Sequence, residues 1–158
     1  MTDQATTSAA RETVTVPLTP ERAFDLFVDE FDSWWPKGSH TVADATGVVL
    51  EARTDGRWGE LDAQGKFKPW GRVVSAERPN RLVLAWQLDP DFEFDPDPAR
   101  QTEVEVTFAA EGESTTRVTL EHRGFEVWGE RGVAMRDSVG SEGGWAALLK
   151  AYAGLATT

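Results

Sequence analysis

The chain is 158 residues long, 40% apolar and 27% charged, which suits one hydrophobic core and is too apolar for a wholly disordered polymer. Lys and Arg number 16 against 27 Asp and Glu, and the net charge of −11 repels phosphate backbones and anionic membrane surfaces, so neither nucleic acid nor a membrane is an expected partner. The absence of cysteine removes disulfide frameworks, thiolate metal sites and cysteine nucleophiles.

No run approaches the roughly 18 apolar residues of a membrane-spanning helix, and the N-terminus lacks a basic stretch followed by an apolar one. The expected location is the cytoplasm. His40 and His122 lie 82 positions apart with no ligand-like spacing, so no metal and no cofactor are expected.

Residues 1–10 are Thr, Ser, Ala and Gln with few charges and read as a disordered tail, leaving 11–158 as a single domain. Residues 13–16 alternate polar and apolar and stop at Pro17, which predicts a short first strand at a sheet edge. Thr19-Pro20-Glu21 then supplies an N-cap, a first-position proline and a first-turn acid. Phe24, Phe27, Val28 and Phe31 follow at helical spacing. The helix ends near Asp32 to Pro36, and a second short helical turn is expected from Ser33.

From Gly47 to Arg123 the pattern predicts six strands, at 47–52, 57–61, 67–77, 81–87, 102–109 and 116–123. Turns are marked by Asp55-Gly56, Gln64-Gly65, Pro79-Asn80 and Glu111-Gly112. Short connections make this an antiparallel meander, apart from a longer acidic link between Asp89 and Arg100. Val104, Val106 and Phe108 alternate with polar neighbours, as do Val118 and Leu120, so one face of the sheet is buried. Trp145, Leu148, Leu149, Tyr152 and Leu155 mark the apolar side of a closing helix that begins near Ser141. Gly140, Gly143 and Gly144 argue against extending it back to Glu130.

At this point a resemblance emerges, carried by VTVPLTPERAFDLFVDEFDSWWP (14–36), EARTDGRWGELDAQGKFKPWGRVVSAERPNRLVLAWQ (51–87), TEVEVTFAAEGESTTRVTLEHRGF (102–125) and GGWAALLKAYAGL (143–155). These four segments resemble the activator-of-Hsp90-ATPase-homologue-like branch of the START-like (SRPBCC) superfamily. The resemblance implies an α+β helix-grip fold. A curved seven-stranded antiparallel sheet wraps a long C-terminal helix, two short helices follow the first strand, and a cavity for small hydrophobic ligands lies between sheet and helix.

Seven tryptophans, at positions Trp34, Trp35, Trp58, Trp70, Trp86, Trp128 and Trp145, either fill a core poor in Met or line an aromatic pocket. Trp86 shares a strand face with Leu82 and Leu84, and Trp145 opens the apolar side of the closing helix, so these two are the leading pocket candidates. Glu60 is in phase with Trp58. A solvent-facing Glu is the default, whereas an inward one would be a buried acid suited to anchoring a ligand or moving a proton.

His122 continues the inward phase of Val118 and Leu120 and is the strongest titratable candidate, either for proton transfer or as a core histidine held by a neighbour. His122 and Glu60 are thus the catalytic candidates. The ligand-binding candidates are Trp35, Trp58, Glu60, Trp70, Trp86, Phe108, His122, Trp145 and Leu149. Arg57 and Arg72 are ambiguous in phase and would neutralise a ligand carboxylate if inward.

The link 89–97 places an acid at every other position but holds Phe94 and Arg100 where a calcium loop needs Gly and Glu. It reads instead as a solvated hairpin tip with two aromatics folded onto a cavity mouth. Three functions remain: a small hydrophobic or aromatic ligand-binding protein, which is favoured; a polyketide cyclase or aromatase-like enzyme; and a co-chaperone-like regulator of a heat-shock-protein 90 ATPase. The short tail ahead of the domain weakens the carry-over of the last, since the eukaryotic co-chaperones of this type carry a separate N-terminal domain. A symmetric homodimer is the association such a soluble domain would adopt.

Overall fold

A computed structural model describes residues 9–35 and 45–157. In chain order the elements are β1 (Ala10–Val16), α1 (Pro20–Asp29), α2 (Phe31–Trp34), β2 (Gly47–Leu50), β3 (Arg57–Leu61), β4 (Phe67–Glu77), β5 (Arg81–Trp86), β6 (Thr102–Gly112), β7 (Thr115–Arg123), α3 (Glu130–Val139) and α4 (Trp145–Ala156). Two 3-10 turns, Pro98–Arg100 and Phe125–Trp128, flank the end of the sheet. Pro36 and His40 lie outside the described residues, as do residues 1–8 of the expected tail.

The strands form one sheet in the order β1-β7-β6-β5-β4-β3-β2, with every neighbouring pair antiparallel. It curls into a half-barrel, and bulges at Trp58/Gly59, Val73/Ser75 and Ala110/Gly112 supply local bends. This is the expected seven-stranded helix-grip architecture.

Several boundaries differ from expectation: β2 stops at Leu50 and β5 at Trp86, β7 begins at Thr115, and α2 begins at Phe31, ahead of Ser33. β1 begins at Ala10, which is buried and pairs with His122, so the last residue of the expected tail belongs to the sheet. β6 runs through the bulge to Gly112, and the turn falls on Glu113 and Ser114 instead of Glu111-Gly112. The closing helix starts at Trp145, not near Ser141. Residues 130–139 form a separate helix that buries only Gly132, Met135 and Val139, too sparse a stripe to announce itself. Between these two helices the chain turns so tightly that a Cβ on Gly144 would stand 2.1 Å from the Val139 carbonyl oxygen.

The Thr19 side chain caps α1 by accepting from the Arg22 amide at 3.3 Å, and Pro20 needs no partner at the first position. The helix buries Ala23, Phe24, Phe27 and Val28. Phe24 and Phe27 meet Phe108 of β6 at ring distances of 5.1 and 5.7 Å, and Phe27 meets Tyr152 of α4 at 5.1 Å. The Tyr152 hydroxyl donates to the Ala23 carbonyl at 2.7 Å, and burial pushes its ionisation up beyond any physiological pH. Trp34 completes this cluster and donates its indole N–H to the Phe27 carbonyl at 2.9 Å.

The other sheet face is polar and ionic. Arg123 donates to Glu105 at 2.7 Å and also to Glu103, and Arg81 pairs with Glu105. These cations hold the Glu105 carboxyl below the usual carboxylate range. Cross-strand charges of this kind add little stability singly, but they keep this face in water.

Candidate functional site

A run of aromatic rings crosses the concave side of the sheet. Trp35 faces Trp70 at 4.9 Å, Trp70 meets Trp58 at 5.4 Å, and Trp58 meets Trp86 at 5.9 Å. Trp86 then contacts His122 at 4.9 Å and Trp145 at 5.7 Å, and His122 lies 4.5 Å from Phe125. Strand register explains the gathering. Trp86 of β5 pairs with Thr102 of β6, and Val104, two residues on, pairs with His122 of β7. Alternation then turns Trp86, Thr102 and His122 to one face.

A close backbone approach positions Trp58. Its indole N–H donates to the Ala85 carbonyl at 2.9 Å across Gly71, where a Cβ would lie 1.7 Å from that same oxygen. Only glycine fits there.

Glu60 is fully buried, so the solvent-facing expectation for it is corrected. Its Oε2 accepts the indole N–H of Trp70 at 2.6 Å. The donor that makes burial tolerable comes from the neighbouring strand, which the phase of β3 alone does not reveal.

His122 is fully buried with both ring nitrogens engaged. The Trp145 indole N–H donates to Nδ1 at 3.1 Å, and Nε2 lies 2.7 Å from the Thr102 hydroxyl. An indole nitrogen can only donate, so Nδ1 is the acceptor and the neutral ring carries its proton on Nε2, which donates to Thr102. Burial pushes the His122 pKa down to about 3. A second proton would have to enter on Nδ1 against the Trp145 N–H.

The expected lining residues therefore divide. Trp35, Trp58, Glu60, Trp70, Trp86, His122 and Trp145 come together in one run. Phe108 belongs instead to the cluster of Phe24 and Phe27, while Leu149 is buried within the general core. Arg57 and Arg72, whose phase the sequence leaves open, are engaged outside this run: Arg57 donates to Glu51 at 3.0 Å and Arg72 sits 3.7 Å from Asp55.

Sequence reasoning missed Thr102, Phe125, Gln101 and Trp128 as members of this end of the sheet. Gln101 Oε1 and the Trp128 indole nitrogen are buried without hydrogen-bond partners, as is the indole nitrogen of Trp86. The polar residue directly before the strand that pairs with Trp86 was the available signal for Gln101.

A groove of about 440 Å³ lies elsewhere, between α1 and the last turn of α4. Leu18, Leu26 and Leu155 line it together with Arg22, Asp25 and Glu30, and it includes none of the expected lining residues. Among the described residues, no three His, Asp or Glu side chains converge as metal ligands would, and no helix is long and apolar enough to cross a membrane.

The chain resembles solved structures over nearly its whole length. It is 31% identical to CalC, a self-sacrificing resistance protein from Micromonospora echinospora, covering 94% of this chain and 93% of that one with a TM-score of 0.65. It is 27% identical to Txn09, an anthrahydroquino-gamma-pyrone synthase solved in complex with SUM, covering 96% and 98% with a TM-score of 0.66. An HSP90 activator from Plasmodium falciparum shares the fold at 19% identity and a TM-score of 0.51, over 74% of this chain and 73% of that one. None of the curated proteins matches. The model of the Activator of Hsp90 ATPase homolog 1-like protein family matches residues 17–155, and the chain belongs to that family.

Proposed function

We propose that this protein binds a small hydrophobic, aromatic molecule against the tryptophan run, between the sheet and α4. One observation carries the reading: the indole N–H of Trp86 is buried at the centre of that run and has no hydrogen-bond partner. A buried donor left unpaired costs about 1–3 kcal/mol, a cost that an acceptor on a bound molecule would relieve. The flanking rings of Trp58 and Trp145 offer apolar faces to a flat ligand. Similarity to Txn09, whose name is that of an anthrahydroquino-gamma-pyrone synthase, supports a ligand of aromatic character.

Binding is favoured over cyclase-like proton transfer because of His122. At neutral pH it is uncharged, both of its nitrogens are engaged, and burial holds its pKa near 3, far from the value a general acid or base needs. Glu60 is likewise committed to Trp70.

Native mass spectrometry of freshly purified protein tests the reading, with organic extraction of whatever travels with it. A reproducible extra mass that quenches tryptophan fluorescence on re-addition is the expected result. A clean apo mass with no quenching by a panel of aromatic molecules counts against it. It would then favour a protein partner such as the chaperone ATPase named in the family description.

A further inference from the structure

Trp86 ends β5, and the chain that follows it forms a tightly pinned loop. The Gln87 amide donates to the Trp70 carbonyl at 2.7 Å, the Asp95 amide donates back to the Gln87 carbonyl at 2.7 Å, and Leu88 bridges Phe94. At the tip, Asp89 Oδ1 accepts from the amides of Asp91 and Glu93 at 2.8 and 3.0 Å, while its carbonyl accepts from Phe92 at 2.8 Å. Asp91 meets Arg131 of α3 at 2.8 Å, and Asp95 meets Arg100 at 2.7 Å. The carboxylates of Asp89, Asp91, Asp95 and Asp97 hold the loop in shape.

That shape puts Phe92 at φ +62, a left-handed conformation that a bulky side chain seldom adopts and that glycine would take without strain. The Phe92 ring stands edge-on to Trp86 at 6.5 Å and 76°, yet it remains 40% exposed. A half-wet ring adds little to the core, so fold stability does not account for an aromatic at this strained position. Contact with Trp86 does. Around the same end of the sheet lie the other two unpaired buried polar atoms: Gln101 Oε1, next to the Thr102 that pairs with Trp86, and the Trp128 indole N–H, beneath the Arg100 guanidinium.

We infer that Phe92 and Trp86 form the selective entrance to the binding site, Phe92 clamping a flat ligand and the Trp86 N–H choosing one that carries an acceptor oxygen. This rests on the binding reading above and narrows it to neutral, oxygen-bearing planar molecules. The five acids of the loop, Asp89, Asp91, Glu93, Asp95 and Asp97, outnumber the two arginines that pair with them, Arg100 and Arg131, and the remaining negative charge opposes an anionic ligand. The unpaired Trp86 indole donor matches a carbonyl or ether oxygen.

Isothermal titration with 9,10-anthraquinone and with anthracene tests this, since the two probes share an outline and differ in the carbonyl oxygens. The wild-type protein is expected to bind anthraquinone about fivefold more tightly, the effect of one added hydrogen bond. Trp86→Phe keeps a smaller aromatic ring, removes the donor and is expected to erase that preference. Phe92→Gly suits the turn and should leave Tm unchanged or raised while weakening both probes about fivefold. If the wild type binds and Phe92→Gly binds equally well, the clamp is overturned and the binding reading stands. Preference retained in Trp86→Phe overturns the acceptor selection alone. A wild-type protein that takes up neither probe overturns both this inference and the reading beneath it.

Discussion

The indole nitrogen of Trp145 donates to Nδ1 of His122 across 3.1 Å, tying the first residue of α4 to the C-terminal end of β7 and fixing which imidazole nitrogen holds the proton. Trp145→Phe keeps a smaller aromatic ring and removes that donor, leaving Nδ1 buried and unpaired. A loss of about 1–3 kcal/mol of unfolding free energy is expected, measured by urea denaturation at pH 7. In the same variant the His122 pKa should rise, because the N–H that opposed a proton on Nδ1 is gone; imidazole chemical shifts across a pH series report it. An unchanged His122 titration would show that burial alone sets its protonation.

Stability should also depend on pH through this histidine. Its folded pKa of about 3 lies below the ordinary value of 6.5, so between those limits the unfolded chain binds a proton that the folded one refuses. Stability is therefore full above pH 6.5 and falls as the pH drops toward 3, by roughly 3 kcal/mol at pH 4.5 from this group. His122→Leu is expected to be less stable at pH 7, having orphaned the Trp145 and Thr102 groups, but flatter between pH 6.5 and 4.5. Matching slopes in the two proteins over that range would assign the acid sensitivity to other groups.

Glu60 and Trp70 give a third test. Glu60→Leu fills the space with an apolar group but strands the Trp70 N–H, and a cost of about 1–3 kcal/mol is expected. A shift in tryptophan emission should accompany it, since Trp70 contacts both Trp35 and Trp58. Thermal unfolding followed by fluorescence reads both effects, and an unperturbed spectrum with unchanged Tm contradicts the pairing.

Gly71→Ala is expected to be severely destabilising, by about 3 kcal/mol or more, because overpacking here meets backbone and not a flexible side chain. The added methyl would collide with the Ala85 carbonyl and displace the acceptor of the Trp58 indole. Circular dichroism at rising urea checks this, and a wild-type midpoint would show that β4 and β5 can separate locally without loss.

The strands were legible in the sequence because alternation reports facing directly, as Val104, Val106 and Phe108 do against Glu103, Glu105 and Thr107. The first helix was legible for a similar reason, its cap and its phenylalanine spacing lying within one short window. Glu60 was not, since the indole that receives its carboxylate comes from position 70 on the adjoining strand, and strand phase cannot tell a buried acid with a partner from an exposed one. His122 was placed inward by phase, but its partners sit 20 and 23 residues away, at Thr102 and Trp145, and only the folded register joins them. The helix α3 escaped because its neighbouring glycines argued against helix and its buried stripe is thin.

The pairing of β1 with β7 has a consequence for how this chain is made. Val14 lies against Val118, so β1 leaves the ribosome with its partner more than a hundred residues behind it. Strands β2 to β7 can zip up by local hairpins as they emerge, but β1 must wait until that meander is complete and then close its edge. Until that moment the Ala10 and Val16 side chains and one whole edge of β7 stand open to other chains, making the interval before closure the period of greatest exposure to misassembly.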